Sequence, residues 1–304
     1  QVLALSQELQ RLAQENSHPV PLLISLYDEG GRIFRFQSGM TQFSSAMSLG
    51  ATNSPDLVYN IAAANAWELR SAGINTSLGP VLDINDDPAN PVIGLRAFGG
   101  RADLVTLMAE YYIAGLQEHG VIAAAKHFPG HGSTNIDSHS SLPVVNKSLE
   151  QLSQNELLPF SQAVRQGVGI IMVGHIANLV LDPSGMPASI SPVFIRDLLR
   201  GQMAYDGVIM TDALTMGAVT ESYDIPAAAV KAVQAGVDIV AVTGPDFAGG
   251  AHAALLQAVR SGAISRERID QSVRRILLLK TQYGLFEDFV PLGGDIDYNA
   301  DGEL

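Results

Sequence analysis

Residues 126–139 concentrate side chains that can do chemistry: Lys126, His127, Phe128, Pro129, Gly130, His131, Gly132, Ser133, Thr134, Asn135, Ile136, Asp137, Ser138 and His139. Three histidines and one aspartate share a glycine-rich segment, which can move and can approach a ligand closely. Asp137 and His139 are two residues apart, so in an extended stretch their side chains share a face. A carboxylate there orients an imidazole and stabilises its charged form, an arrangement suited to general acid/base work near neutral pH. Zinc ligation is the rival reading of the same histidines. Their spacing lacks the tight pairs, such as i,i+4 on a helix, that metal motifs usually show.

A second candidate is Asp212, at the end of the apolar run 207–213. A carboxylate closing a buried strand is costly unless it is paired or functional. The plain alternative is a cap for the helix that follows. Other polar residues gather at similar places. Asp28 and Glu29 follow the run 21–27, Asp83 follows 74–81 with Arg96 in the loop beyond, Lys126 and His127 end 121–128, and His175 ends 168–175. In parallel α/β folds the working residues sit just past the C-terminal ends of strands, so this recurrence is hard to assign to core packing.

The elements that must hold these residues are six short β-rich runs: 21–27, 74–81, 121–128, 168–175, 207–213 and 237–243. They are continuously apolar rather than alternating, as expected of strands buried on both faces of a parallel sheet. Helix signals fill the gaps. Ser54-Pro55 supplies an N-cap and a first-turn proline, with Gly73 as a stop; Ser148 and Gln151 fit a capping box; Ser191-Pro192 repeats the start signal; Ser265 opens a long amphipathic run that ends near Gly284. Strand and helix in alternation predict an α/β fold, a (β/α)8 TIM-like barrel. Six runs are visible where a closed barrel needs eight, and the chain opens on a helix-like run, 3–15. The expectation is therefore a barrel whose first strand is missing from this chain.

Composition narrows the partners. The 304 residues are 47% hydrophobic and carry a formal net charge of -13, enough apolar content for one barrel domain and too acidic for phosphate backbones or anionic lipid. Neither nucleic acid nor a membrane is expected as a partner. The most apolar run, 168–181, contains His175 and Asn178 and is too short to span a bilayer. There is no cysteine, which excludes disulfides, thiolate metal sites and a cysteine nucleophile.

Taken together, the segment Lys126–Gly132, Asp137–His139 and Leu142-Pro143 resembles the signature of the β-N-acetylglucosaminidase branch of glycoside hydrolase family 3. The likeness runs from about Pro21 to Phe286. It takes in Glu29-Gly30-Gly31-Arg32-Ile33-Phe34-Arg35, the run from Gly79 to Asp83, the run from Ile93 to Gly99, and Val273 to Leu277 with Tyr283 to Phe286. The resemblance implies a retaining hydrolase of terminal β-linked N-acetylglucosamine that works through a glycosyl-Asp intermediate. In that reading Asp212 is the nucleophile and Asp137 with His139 the acid/base dyad, while Arg35, Arg96, Lys126 and His127 hold the sugar. It implies no cofactor and no metal, a small-molecule sugar substrate, cell-wall fragments among the candidates, and a monomer. Two rivals remain: a β-glucosidase or β-xylosidase of the same family, which usually draws its acid/base carboxylate from a second domain, and a sugar-binding barrel without catalysis.

One position departs from the family. Its members usually carry Asp two residues before the Glu of Glu-Gly-Gly, where it holds sugar hydroxyls; this chain has Tyr27 there and Asp28 one step later. Asp28 is expected to serve if the loop shifts; otherwise sugar affinity is altered. The catalytic barrel is expected over residues 1–290 and a polar acidic tail over 291–304. Within the tail, Asp297, Asn299, Asp301 and Gly302 match the first half of a calcium loop, which leans toward export while leaving the compartment open.

Overall fold

The computed structural model describes residues 1–36 and 38–287. The calcium-loop-like run 297–302 lies outside the described residues. Five parallel strands stand in sequence order: β1 (Ser25–Leu26), β2 (Thr76–Ser77), β3 (Ile122–Phe128), β4 (Ile170–Val173) and β5 (Val208–Thr211). Each lies within a run read as a strand from the sequence. The sixth run, 237–243, lies along β5 through one parallel bridge, Met210 to Ile239, with Thr211 N donating to Ile239 O and Leu214 N to Ala241 O. Sequential parallel neighbours joined by helical crossovers are the winding of a (β/α) barrel, here a partial one.

The helices fall where their signals stand. They are α1 (Val2–Gln14), α2 (Ala46–Ala51), α3 (Pro55–Ser71), α4 (Ala102–Glu118), α5 (Leu149–Gln154), α6 (Leu157–Arg165), α7 (Gly217–Thr220), α8 (Ile225–Ala235), α9 (Pro245–Arg260) and α10 (Arg266–Gln282). Ser148 and Gln151 form the expected reciprocal box at the start of α5, and the Ser265 side chain accepts from Arg268 N at the start of α10. Ser191-Pro192 does open a helix, Val193–Gln202, but with π-type bonding that the start signal does not encode.

The strands sort their side chains by parity. Ile122, Ala124, Ile170, Met172, Val208 and Met210 form an inner layer with Leu78, against which Leu23, Tyr27, Ile239 and Leu279 of α10 pack. Ala123, Ala125, Ile171, Val173 and Ile209 face the helices, as do Ile24 and Leu26. Burial on both faces explains why the runs are mostly apolar and do not alternate; β2 is the exception, with Thr76 and Ser77 buried. Phe128, at the end of β3, meets Phe160 of α6 edge-to-face at 5.4 Å, a packing worth about 1 kcal/mol beyond its area. That contact fixes the point from which the histidine-rich segment leaves the sheet.

Among the described residues no helix is long and apolar enough to cross a membrane.

Candidate active site

The C-terminal ends of the strands surround a cavity of about 580 Å³, lined by Tyr27, Glu29, Ile33, Arg35, Val92, Arg96, His127, His131, Ser138, His139, Asp212, Ala213, Thr215, Met216 and Thr243. Asp212 leaves the end of β5, where its N–H donates to Val173 O at 2.9 Å. Its Oδ1 accepts from Ala213 N at 2.8 Å, and Oδ2 lies 4.0 Å from His127 Nε2. Burial by itself would raise this carboxyl. The His127 and His175 imidazoles, the Ala213 N–H and Lys126 outweigh that and hold it below the usual aspartate range. The group is thus an anion aimed into a cavity. His175 supports it from behind: Nε2 is 2.9 Å from Ala213 O and Nδ1 is 2.7 Å from Ser189 Oγ. A carbonyl only accepts, so Nε2 carries the hydrogen, and burial keeps this ring below the usual histidine range.

His127 is set by Asp83, the fully buried carboxylate after β2. Asp83 Oδ2 is 2.6 Å from His127 Nδ1, and Oδ1 accepts from His131 N at 2.6 Å and from His127 N at 3.3 Å. Burial would raise Asp83, yet His127 and His131 hold it down. An ionised carboxylate only accepts, so Nδ1 is the donor and Nε2 faces the cavity. His131 stands against the His127 ring at 6.1 Å, its Nε2 2.9 Å from Ser138 Oγ.

A third group gathers around Glu29. Arg96 grips it with two parallel bonds, Nε to Oε2 at 2.7 Å and Nη2 to Oε1 at 2.9 Å, and Lys126 Nζ reaches Oε1 at 2.5 Å. Burial raises Glu29, but Lys126 and Arg96 overcome it and bring the carboxyl to about 2. Lys126 is fully buried, also bonds Leu78 O, and lies 4.5 Å from the centre of the Tyr27 ring. Arg35 lines the same wall from the segment after β1.

His139 of the dyad also lines the cavity. His139 Nδ1 and His139 N both lie 2.8 Å from Asp137 Oδ1. Burial raises Asp137 and the bonds from His139 outweigh it, so the carboxyl is held low and accepts from Nδ1, leaving Nε2 for a substrate. The pair is open to solvent, His139 at 63% and Asp137 at 40% of their side-chain areas.

The segment is held at both ends. Gly132 runs so close to the loop after β2 that a Cβ there would lie 1.7 Å from Ile84 O. Asn90 Nδ2 donates to His131 O at 2.8 Å. At the far end, Gly217 N donates to His139 O and Ala218 N to Ser138 O, both at 3.1 Å. A Cβ on Gly217 would meet Ser140 O at 2.4 Å and His139 O at 2.7 Å. The helix that follows the Asp212 strand therefore grips the loop that carries His139.

Of the residues singled out from the sequence, Asp212, Asp137 and His139, Arg35, Arg96, Lys126 and His127 converge on this site. Asp28 does not. Strand parity turns Tyr27 to the inner layer with Leu23, and turns Asp28 to the helix side with Ile24 and Leu26. There Asp28 is 3% exposed, and burial together with Glu68 of α3 raises its carboxyl to about 6. Glu29 and Asp83 gained no role from the sequence beyond their places after strands, because their partners lie 67 and 44 residues away. Among the described residues no set of three or more His, Asp or Glu side chains is grouped to hold a metal ion.

Residues 1–279 match the glycosyl hydrolase family 3 N terminal domain. The chain belongs to glycoside hydrolase family 3. It is 34% identical over 304 residues to the beta-hexosaminidase A of Pseudoalteromonas piscicida, covering 93% of this chain and 51% of that protein. It is 35% identical over 242 residues to the beta-hexosaminidase of Idiomarina loihiensis, covering 78% and 72%. Among solved structures, the family 3 beta-N-acetylglucosaminidase of Paenibacillus sp. str. FPU-7 superposes with a TM-score of 0.91 at 42% identity, over 99% of this chain and 56% of that one. The chain thus spans about half the length of two of these relatives.

Proposed function

We propose that this chain carries the active site of a retaining β-N-acetylhexosaminidase. The observation that carries the reading is an anionic Asp212 on one side of a cavity with the exposed Asp137–His139 pair on another. Asp212 attacks the anomeric carbon of a terminal β-linked sugar. His139, charged and steadied by Asp137, gives its Nε2 proton to the departing oxygen. The bond between sugar and leaving group breaks as the sugar–Asp212 ester forms. Water then gives a proton to His139 Nε2 and attacks the anomeric carbon, which frees Asp212 and returns the sugar with net retention. His127 Nε2, Arg35 and the Glu29–Arg96–Lys126 group are assigned to holding the sugar. The names of the relatives support an acetamido sugar, and cell-wall fragments fit that class. The test compares kcat/KM for a chromogenic β-N-acetylglucosaminide and the matching β-glucoside. A higher value for the acetamido sugar is expected; the reverse ranking overturns the substrate assignment, and hydrolysis of neither overturns the activity.

A further inference from the structure

The wall of the cavity built from the segment after β1 offers hydrogen-bond donors and almost no free acceptors. Glu29 has both oxygens engaged, by Arg96 and by Lys126. Asp28 faces the helix layer instead of the cavity. Arg35 lines the cavity without a hydrogen bond or ion pair to any described residue, and the Tyr27 hydroxyl has no hydrogen-bond partner among them either. Arg35 and Arg96 line the cavity beside the Glu29 carboxylate, with Lys126 buried behind them. The anionic Asp212 lines the same cavity, and with Arg96 and Lys126 taken up by Glu29, Arg35 is the cation left without an ion pair among the described residues.

A neutral sugar edge of adjacent hydroxyls needs acceptors as well as donors. This wall gives it five guanidinium N–H groups from Arg35, which cannot accept, and one phenol, whose oxygen is its single free acceptor. A carboxylate accepts only. It matches that inventory and lets the planar guanidinium bind both oxygens at once. The aromatic ring adds a flat apolar surface beside the guanidinium, backed by Lys126.

We infer that this sugar pocket selects rings that bear a carboxylate substituent, with Arg35 and the Tyr27 hydroxyl receiving it. The inference deepens the proposed glycosidase reading and rests on it for the placement of the sugar. It differs from that reading in its observable, which is the affinity of a free sugar and requires no turnover.

Two pairs of probes isolate the charge: N-acetylmuramic acid against its methyl ester, and glucuronic acid against glucuronamide. Titration calorimetry at low salt is expected to show the acid of at least one pair bound about five- to tenfold more tightly than its neutral partner, the range for one well-made ion pair. Added sodium chloride should shrink the difference. Arg35→Gln should abolish it. Tyr27→Asp, which restores a free acceptor to the wall, should invert it in favour of the neutral sugar; if that variant fails to fold, Arg35→Gln decides alone. Equal affinities within both pairs, no binding by any probe, or a preference that survives Arg35→Gln overturns the inference. Turnover of a neutral β-N-acetylglucosaminide is measured in parallel. Hydrolysis without acid preference removes the inference and leaves the glycosidase reading, whereas acid preference without hydrolysis of any β-glycoside removes that reading.

Discussion

Asp83 Oδ2 lies 2.6 Å from His127 Nδ1, and this one contact fixes which nitrogen of His127 faces Asp212. Asp83 has no access to the cavity itself and acts through the imidazole. Asp83→Asn replaces an obligate acceptor with a group that can also donate, so the ring loses its enforced tautomer and orientation. Turnover efficiency should fall on the order of 10²-fold, the scale of a misplaced binding group. Calorimetry should show weaker binding of the free sugar, while circular dichroism stays unchanged. Unchanged sugar affinity would make Asp83 a purely structural carboxylate.

Asp212→Asn removes the anion that forms the covalent bond, and turnover should fall by several orders of magnitude with the fold intact. In the unaltered chain, rapid quenching during turnover of a slow substrate should leave a glycosyl adduct on the peptide containing Asp212. Near-normal activity in the variant, or an adduct elsewhere, ends the assignment.

The burial of Asp28 has a stability signature with a definite sign. Its carboxyl is raised to about 6 in the folded chain, against about 3.9 unfolded, so the folded state binds the extra proton between these values. Above pH 6 the charged group costs about 1–3 kcal/mol; most of that cost is gone by about pH 4, where the folded carboxyl is protonated and the unfolded one about half so. Asp28→Asn should therefore raise the unfolding free energy at pH 7, with a gain that is mostly lost by about pH 4, and should leave sugar turnover in place. A large loss of turnover would return Asp28 to the sugar. Glu29 behaves oppositely. Held at about 2, it adds stability that is present at neutral pH and lost as pH falls from about 4.3 through 2.

The grip of Gly217 on the His139 loop predicts a steric variant. Gly217→Ala places a methyl 2.4 Å from Ser140 O and 2.7 Å from His139 O, so the loop must shift outward. Proton transfer depends on that position and nucleophilic attack does not. The kcat/KM for poor leaving groups should fall about tenfold or more, with a smaller change for good ones. A uniform change would mean that the clamp does not govern the dyad.

What was legible in the sequence was local. The parallel sheet shows in runs that are mostly apolar without in/out alternation, because the inner layer and the helix layer both bury side chains. The α5 start shows in Ser148 and Gln151, since the capping box closes within four residues. The dyad shows for the same reason: Asp137 and His139 bond across two residues. The site's supports were not legible. Glu29 finds Arg96 across 67 residues and Asp83 finds His127 across 44, distances that only the sheet order closes. Asp28 looked available because it adjoins Glu29. Parity along Leu23, Ile24, Leu26 and Tyr27 carries the correct signal, and it sends Tyr27 inward and Asp28 outward.

The dyad itself separates an acid/base from a histidine that holds the loop. His139→Ala leaves Asp212 able to attack, so substrates with good leaving groups, such as nitrophenolates, should still form the glycosyl-enzyme. Poor leaving groups need the proton and should nearly stop, a loss of about 10²–10⁴-fold. The second step then limits all substrates, because water has lost its base. Azide needs no deprotonation. It should restore turnover of the nitrophenyl glycoside and yield a β-glycosyl azide, the stereochemistry that two inversions require. Asp137→Asn keeps the imidazole and removes its charge partner, so it should show a milder form of the same leaving-group dependence. The bond from His139 N to Asp137 Oδ1 can also form to an asparagine oxygen, so the loop turn should persist. A uniform loss across leaving groups in His139→Ala, with no azide product, would mean that this histidine positions the loop or the sugar, and the proton would have to come from another group.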